Sequence, residues 1–192
     1  MNSPKFLALA TFFSTAAFLA VAADAPAPAA PYTVTLTDVH MCCGNCVKGA
    51  ASAVSSLKDV SAVGDQAGKS IAVTAPDKAT AQKAVDALTN KGFFGKSSSA
   101  DIKVNADTGA KTAKVSSLEI SDLHLCCAKC VTAVNSVLSK VDGVTGNTAK
   151  PNAASFTVSG DFSPKAVMDA LQKAGLTGKA GATTPEAPAP KA

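Results

Sequence analysis

Six cysteines and two histidines are the residues of this chain whose types and spacing could do chemistry. They fall into two groups, His40-Met41-Cys42-Cys43-Gly44-Asn45-Cys46 and His124-Leu125-Cys126-Cys127-Ala128-Lys129-Cys130, offset by 84 residues at the histidine and at every cysteine. Cys43 with Cys46, and Cys127 with Cys130, place two sulfurs about one turn apart where a helix begins. Unpaired backbone amides and the positive end of the helix dipole face such a loop, and both favour thiolate over thiol. A thiolate is the form that binds metal. Cys42 and Cys126 each add a third sulfur, and His40 and His124 each add an imidazole two residues earlier. In an extended segment residues 40 and 42 point to one side and Met41 to the other. Met41 reads as a core residue rather than a ligand, because Leu125, which has no thioether, holds its place in the second group. Lys48 and Lys129 stand near the sulfurs and could offset thiolate charge.

The elements that position these groups repeat with them. From Asp38 to Leu57 against Asp122 to Val141, 8 of 20 positions are identical. The match resumes with a one-residue slip, Gly92-Phe93-Phe94-Gly95-Lys96 against Gly175-Leu176-Thr177-Gly178-Lys179. Tyr32, Val34 and Leu36 alternate with Thr, the pattern of a strand with one buried face, as do Leu118 and Ile120. Asp38 and Asp122 break that alternation ahead of the cysteine loops. Val47, Ala50, Val54 and Leu57 follow at helical spacing, matched by Val131, Val134, Leu138 and Val141. Val60 and Val63 begin a second strand, and Ile71 to Val73 a third; in the other copy these are Val144 and Ser155 to Val158. A second helix runs from about Asp77 to Asn90, with Ala81, Val85 and Leu88 inward, and its partner starts at Ser163-Pro164. Gly92 and Gly175 end these helices, and short last strands start at Phe93 and Leu176. The order βαββαβ, twice, predicts an α+β chain of two ferredoxin-like domains, each a four-stranded antiparallel sheet with two helices on one face.

The division that follows is a signal peptide over 1–23, a Pro/Ala spacer over 24–31, a first domain over 32–105, a linker over 106–113, a second domain over 114–181 and a Pro/Ala tail over 182–192. The uncharged run from Phe6 to Ala23, preceded by Lys5 and closed by small residues, has the form of a secretory signal. The expected location is periplasmic or secreted, with no membrane attachment once the signal is removed. All 18 basic residues are Lys, against 14 acidic residues and a net charge of +4. With no Arg, no Trp and one Tyr, a nucleic-acid partner is not expected. No serine–histidine–aspartate set, phosphate-binding glycine loop or paired-carboxylate motif appears, so no enzyme is expected.

The two cysteine groups, set in this order of elements, resemble the heavy-metal-associated (HMA) domain family, which includes copper chaperones, the N-terminal modules of metal-pumping P-type ATPases and the periplasmic mercury-scavenging protein. Met41 to Cys46 fits the family's M-x-C-x-x-C pattern, with Cys43 and Cys46 as the implied ligand pair. Leu125 to Cys130 fits with Leu for Met, and implies Cys127 with Cys130. The resemblance implies a soft-metal-binding protein that buffers, scavenges or hands on Cu(I), Zn(II), Cd(II) or Hg(II), with a metal transporter or another metal-binding domain as its partner. The chain departs from the pattern at His40 and His124, where Gly is usual, and at Cys42 and Cys126, where Thr is usual. Two thiolates suit Cu(I) or Hg(II), whereas three thiolates and an imidazole complete a tetrahedral set for Zn(II) or Cd(II). Cu(I) and Zn(II) are therefore the foremost ions. Each cluster is expected to hold one ion independently, the rival being a single ion held by both clusters. The alternatives of another class are a thiol–disulfide redox protein and a structural module with oxidised cysteines.

Overall fold

A computed structural model describes residues 30–185. The signal segment, most of the first spacer and the end of the tail lie outside the described residues. The first repeat comprises β1 (Tyr32–Thr37), α1 (Gly44–Ala53), β2 (Ser61–Asp65), β3 (Ser70–Ala75), α2 (Lys78–Asn90) and β4 (Lys96–Ser97). The second comprises β5 (Val115–Ser121), α3 (Ala128–Leu138), β6 (Val144–Asn147), β7 (Ser155–Phe162), α4 (Pro164–Lys173) and β8 (Lys179–Pro185). Each repeat is an α+β unit with one antiparallel sheet, ordered β2-β3-β1-β4 and β6-β7-β5-β8, in the ferredoxin-like arrangement the sequence predicts.

The central strands carry the core. Val34 lies opposite Val73 and Leu36 opposite Ile71, all four buried; Leu118 opposite Val158 and Ile120 opposite Phe156 repeat the arrangement. Against these faces α1 buries Cys46 and Ala50, and α2 buries Ala81, Val85 and Leu88. In the second repeat α3 buries Cys130, Val134 and Leu138, and α4 buries Val167, Met168 and Leu171. Asp77 caps α2 by accepting the Thr80 amide at 2.7 Å, which holds its carboxyl below its ordinary pKa. Pro164 opens α4, where its missing N–H has no helical partner to lose.

The structure departs from the sequence reading in three places. In β2 it is Ala62 that faces the core, while Val63 is 64% exposed. The last strands begin at Lys96 and Lys179, not at Phe93 and Leu176, and β8 runs to Pro185, past residue 181 where the second domain was expected to end. The segment over 106–113 has no regular structure but is tied to the second repeat. Ala106 O accepts from Gln172 Nε2, Thr108 O from the Ala180 amide, and Lys111 O from the Lys165 amide.

No helix among the described residues is long and apolar enough to cross a membrane.

Candidate metal centre

Each cysteine loop starts from a backbone turn at its aspartate. Asp38 and Asp122 adopt left-handed φ angles of 60° and 57°, a conformation Asp tolerates better than most residues, and turn the chain out of β1 and β5. Each is paired with a lysine from its own sheet edge, Asp38 with Lys96 at 2.9 Å and Asp122 with Lys179 at 3.3 Å. Beyond the turn the chain is extended and alternates. Val39 and Met41 are buried in the first repeat, and Leu123 and Leu125 in the second. The residues between and after them, His40 with Cys42 and His124 with Cys126, project to the opposite side. Cys43 and Cys127 then stand in extended geometry as the residues that start α1 and α3, and Cys46 and Cys130 follow in the first turn, both fully buried.

The two loops lie against each other, and donors close enough to hold an ion occur both within the second loop (Cys126, Cys127, Cys130) and across the two. The repeats meet at their cysteine-loop ends, and all six sulfurs come together there. Cys43 Sγ lies 3.9 Å from Cys46 Sγ and 3.6 Å from Cys126 Sγ, and Cys46 to Cys126 is 3.5 Å. The second triangle mirrors the first: Cys127 to Cys130 is 4.0 Å, Cys127 to Cys42 is 3.7 Å, and Cys130 to Cys42 is 3.4 Å. Three further approaches join the triangles, Cys43 to Cys127 at 3.7 Å, Cys46 to Cys42 at 3.7 Å and Cys130 to Cys126 at 3.6 Å. The six sulfurs thus sit at the corners of a trigonal prism. These separations exceed the roughly 2.05 Å of a disulfide, and none of the six cysteines is in a disulfide. Groups of three such donors lie close enough to hold an ion, including Cys43, Cys46 and Cys126, and His40, Cys42 and Cys130.

The docking is carried largely by backbone. Phe93 and Leu176 pair with each other across the boundary in an antiparallel bridge. Gly175 O accepts from the His40 amide at 3.1 Å and the Phe94 amide at 3.4 Å, and Gly92 O accepts from the Thr177 amide at 3.2 Å. Gly92 and Gly175 have φ of +86° and +78°, as the helix-ending role requires. They have a second role at the boundary. A Cβ on Gly175 would stand 2.3 Å from Asp38 O and 2.4 Å from His40 N, and one on Gly92 would stand 2.3 Å from His124 N. Only a residue without a side chain allows the cysteine loop of one repeat to approach so closely. Repetition of the two glycines was the available signal, but helix termination explained it fully.

Both imidazoles cross the boundary. The His124 ring stacks on Phe93 of the first repeat with centroids 4.5 Å apart, packs over Gly49, and lies beside Cys46. His40 lies beside Cys42 of its own repeat and Cys130 of the other. The Nε2 atoms of His40 and His124 are buried with no hydrogen-bond partner. Burial holds His40 below the ordinary histidine pKa, with His124 and Lys69 acting in the same direction.

Protons are shared unevenly among the sulfurs. Hydrogen bonding from Cys130 holds Cys46 down to about 2, aided by His124 and the Cys42 backbone, and Cys130 is correspondingly pushed up. Burial pushes Cys42 up to about 12 and raises Cys126 as well. The amides of Cys130 and Lys129 at the start of α3 bring Cys127 down to about 6. A cleft of about 390 Å³ open to the outside is lined by Cys43 and Cys127 together with Lys48 and Lys129. The two lysines that stand near the sulfurs in sequence therefore line the same cleft.

Chemically, six cysteine sulfurs with two imidazoles whose Nε2 atoms have no hydrogen-bond partner form a soft donor set, suited to thiophilic d10 ions rather than to Mg(II) or Ca(II). A point at the centre of a 3.7 Å triangle lies about 2.1 Å from each corner, near the roughly 2.3 Å of a zinc–thiolate bond.

The profile of the family described as "Heavy-metal-associated domain" matches residues 117–177. No curated protein matches the chain. Among solved structures, the chain is similar to the N-terminal soluble domains of Bacillus subtilis CopA, at 18% identity and a TM-score of 0.29, covering 79% of this chain and 95% of that one. It is also similar to the apo HMA domain of the copper chaperone for superoxide dismutase, at 20% identity and a TM-score of 0.33, covering 51% of this chain and 96% of that one. That family match falls on the second of two repeats that share one fold and bring their cysteine loops together.

Proposed function

We propose that this is an exported, non-enzymatic protein that binds thiophilic heavy-metal ions, with Cu(I) and Zn(II) foremost, and buffers them or hands them to a transporter or another metal-binding domain. The meeting of all six thiols in one partly buried prism carries this reading. Cysteines clustered in one place, with none paired, cross-link no distant parts of the chain and so add little as structural disulfides. The sulfurs are soft enough for copper, and the flanking imidazoles supply the fourth donor that zinc prefers. The open cleft between Lys48 and Lys129 leaves Cys43 and Cys127 within reach of an acceptor's own thiols, which suits exchange better than permanent burial. Export rests on the signal-like run before Asp24.

Elemental analysis of the anaerobically reduced full chain, with a free-thiol count before and after loading, tests this reading. Tight retention of Cu(I) or Zn(II) with protection of the thiols is the expected result. Six reactive thiols and no retained metal would reject it, and turnover of a disulfide substrate without metal would favour the redox alternative.

A further inference from the structure

The geometry points to two metal sites, each made by the cysteine pair of one repeat and completed by the histidine and first cysteine of the other. This inference rests on the metal-binding reading and specifies how the eight donors are divided. Each triangular face of the sulfur prism is mixed in origin. Cys43 and Cys46 share their face with Cys126, and Cys127 and Cys130 share theirs with Cys42. The imidazoles follow the same exchange. His124 lies beside Cys46, and His40 beside Cys130. Their buried Nε2 atoms have no hydrogen-bond partner, which is costly unless another group takes the lone pair or proton.

All eight donors then divide into two equivalent sets without remainder. One is Cys43, Cys46, Cys126 and His124; the other is Cys127, Cys130, Cys42 and His40. Each contains three sulfurs and one nitrogen, the complement of a tetrahedral Zn(II) or Cd(II) site, and Cu(I) would use the three sulfurs of each face alone. The spacing of histidine and first cysteine also acquires a reason. Two residues apart on an extended segment, they project from the same side as an arm, while Met41 or Leu125 between them anchors that arm in its own core. The arm reaches the opposite repeat because Gly175 and Gly92 admit its backbone.

The experiment uses the reduced full-length chain with Zn(II) and, separately, Cu(I). In a Cys43→Ser/Cys46→Ser background only the second cysteine pair remains. Into it is introduced either His40→Ala with Cys42→Ser, or His124→Ala with Cys126→Ser, and affinity is read by chelator competition. Loss of the first arm should weaken Zn(II) at least about tenfold more than loss of the second, because it serves the remaining pair from across the boundary. With Cu(I), only the Cys42→Ser change should reduce sulfur coordination at the ion from three to two by X-ray absorption. The single variants Cys42→Ser and Cys126→Ser in the same background give the same comparison where a double arm change unfolds the chain. Equal losses, or a larger loss from the second arm, would overturn the exchange while leaving metal binding intact. Absence of binding by the unaltered chain would overturn the metal reading and this inference together.

Discussion

Phe93 and Leu176 occupy the same place in the two repeats, and they pair with each other. A residue that meets its own counterpart marks an isologous, pseudo-two-fold contact, the geometry ordinarily seen in a symmetric homodimer. Cys43 and Cys127 are also counterparts and also meet, at 3.7 Å. Every other sulfur approach between the repeats has a symmetry mate of nearly equal length, such as 3.4 Å for Cys42 with Cys130 and 3.5 Å for Cys46 with Cys126. The axis therefore runs through both the bridge and the prism. The chain has the organisation of a dimer joined by a linker, and that linker, bonded to the second repeat at 106, 108 and 111, keeps the partner at hand.

Closing this joint depends on glycine. Gly175→Ala would place a methyl group against Asp38 O and His40 N and would force Ala into a positive φ. The predicted outcome is two folded repeats that no longer dock. Circular dichroism should change little, small-angle X-ray scattering should show a larger radius of gyration, and zinc should lose sulfur donors. Unchanged scattering and coordination would show that the loops tolerate the methyl group and that the joint is looser than the structure shows.

Metal loading should release protons. Cys42, Cys126 and Cys130 are pushed up from the ordinary thiol value and are thiols at pH 7, whereas Cys46, held to about 2, is already a thiolate. Metal competes with the proton for each raised sulfur, so affinity should fall as pH falls and rise as pH rises. Filling both sites at pH 7 should therefore release at least three protons per chain, one from each of these thiols, measurable in weakly buffered solution. A smaller release would mean that one or more of them stays protonated and is not a ligand.

Met41→Leu should alter neither zinc nor copper affinity, and stability by less than about 1.5 kcal/mol, as volume-conserving core exchanges do. Met41 is buried to 4% exposure, as is Leu125 in the equivalent place. A strong loss of Cu(I) affinity on this exchange would make Met41 a thioether ligand.

Most of this fold was legible because both repeats announce it in the same way. Alternation at Val34 and Leu36 and helical spacing at Ala81, Val85 and Leu88 report faces that are in fact buried. The register of β2 was not legible, because the residue turned inward is the small Ala62 while the β-branched Val63 faces solvent, which inverts the hydrophobic signal. The cysteines and histidines of the candidate centre stand out from residue type and spacing. Their assignment does not, because periodicity describes each repeat alone. The exchange of arms arises from docking, which rests on the Gly92 and Gly175 carbonyls, a backbone bridge and the Phe93–His124 stack, and the one repeated trace of it, the two glycines, is equally explained by helix ends.

Metal should not be needed for either repeat to fold. The cores are built from strand and helix faces such as Leu36, Ile71 and Leu88, or Leu118, Val158 and Leu171, none of which depends on the cysteine loops. The apo chain and the Cys43→Ser/Cys46→Ser variant should give circular dichroism spectra close to that of the loaded chain, with metal raising the midpoint of thermal unfolding by linkage. Collapse of secondary structure on chelation, as zinc fingers show, would contradict this.

X-ray absorption at the zinc edge of the fully loaded, reduced chain tests the central claim most directly. The account predicts two zinc ions per chain, each surrounded by three sulfurs and one nitrogen at roughly 2.3 and 2.0 Å. Two sulfurs per zinc with lighter donors completing the shell would contradict it, for each cysteine pair would then act alone and the prism would play no part in binding.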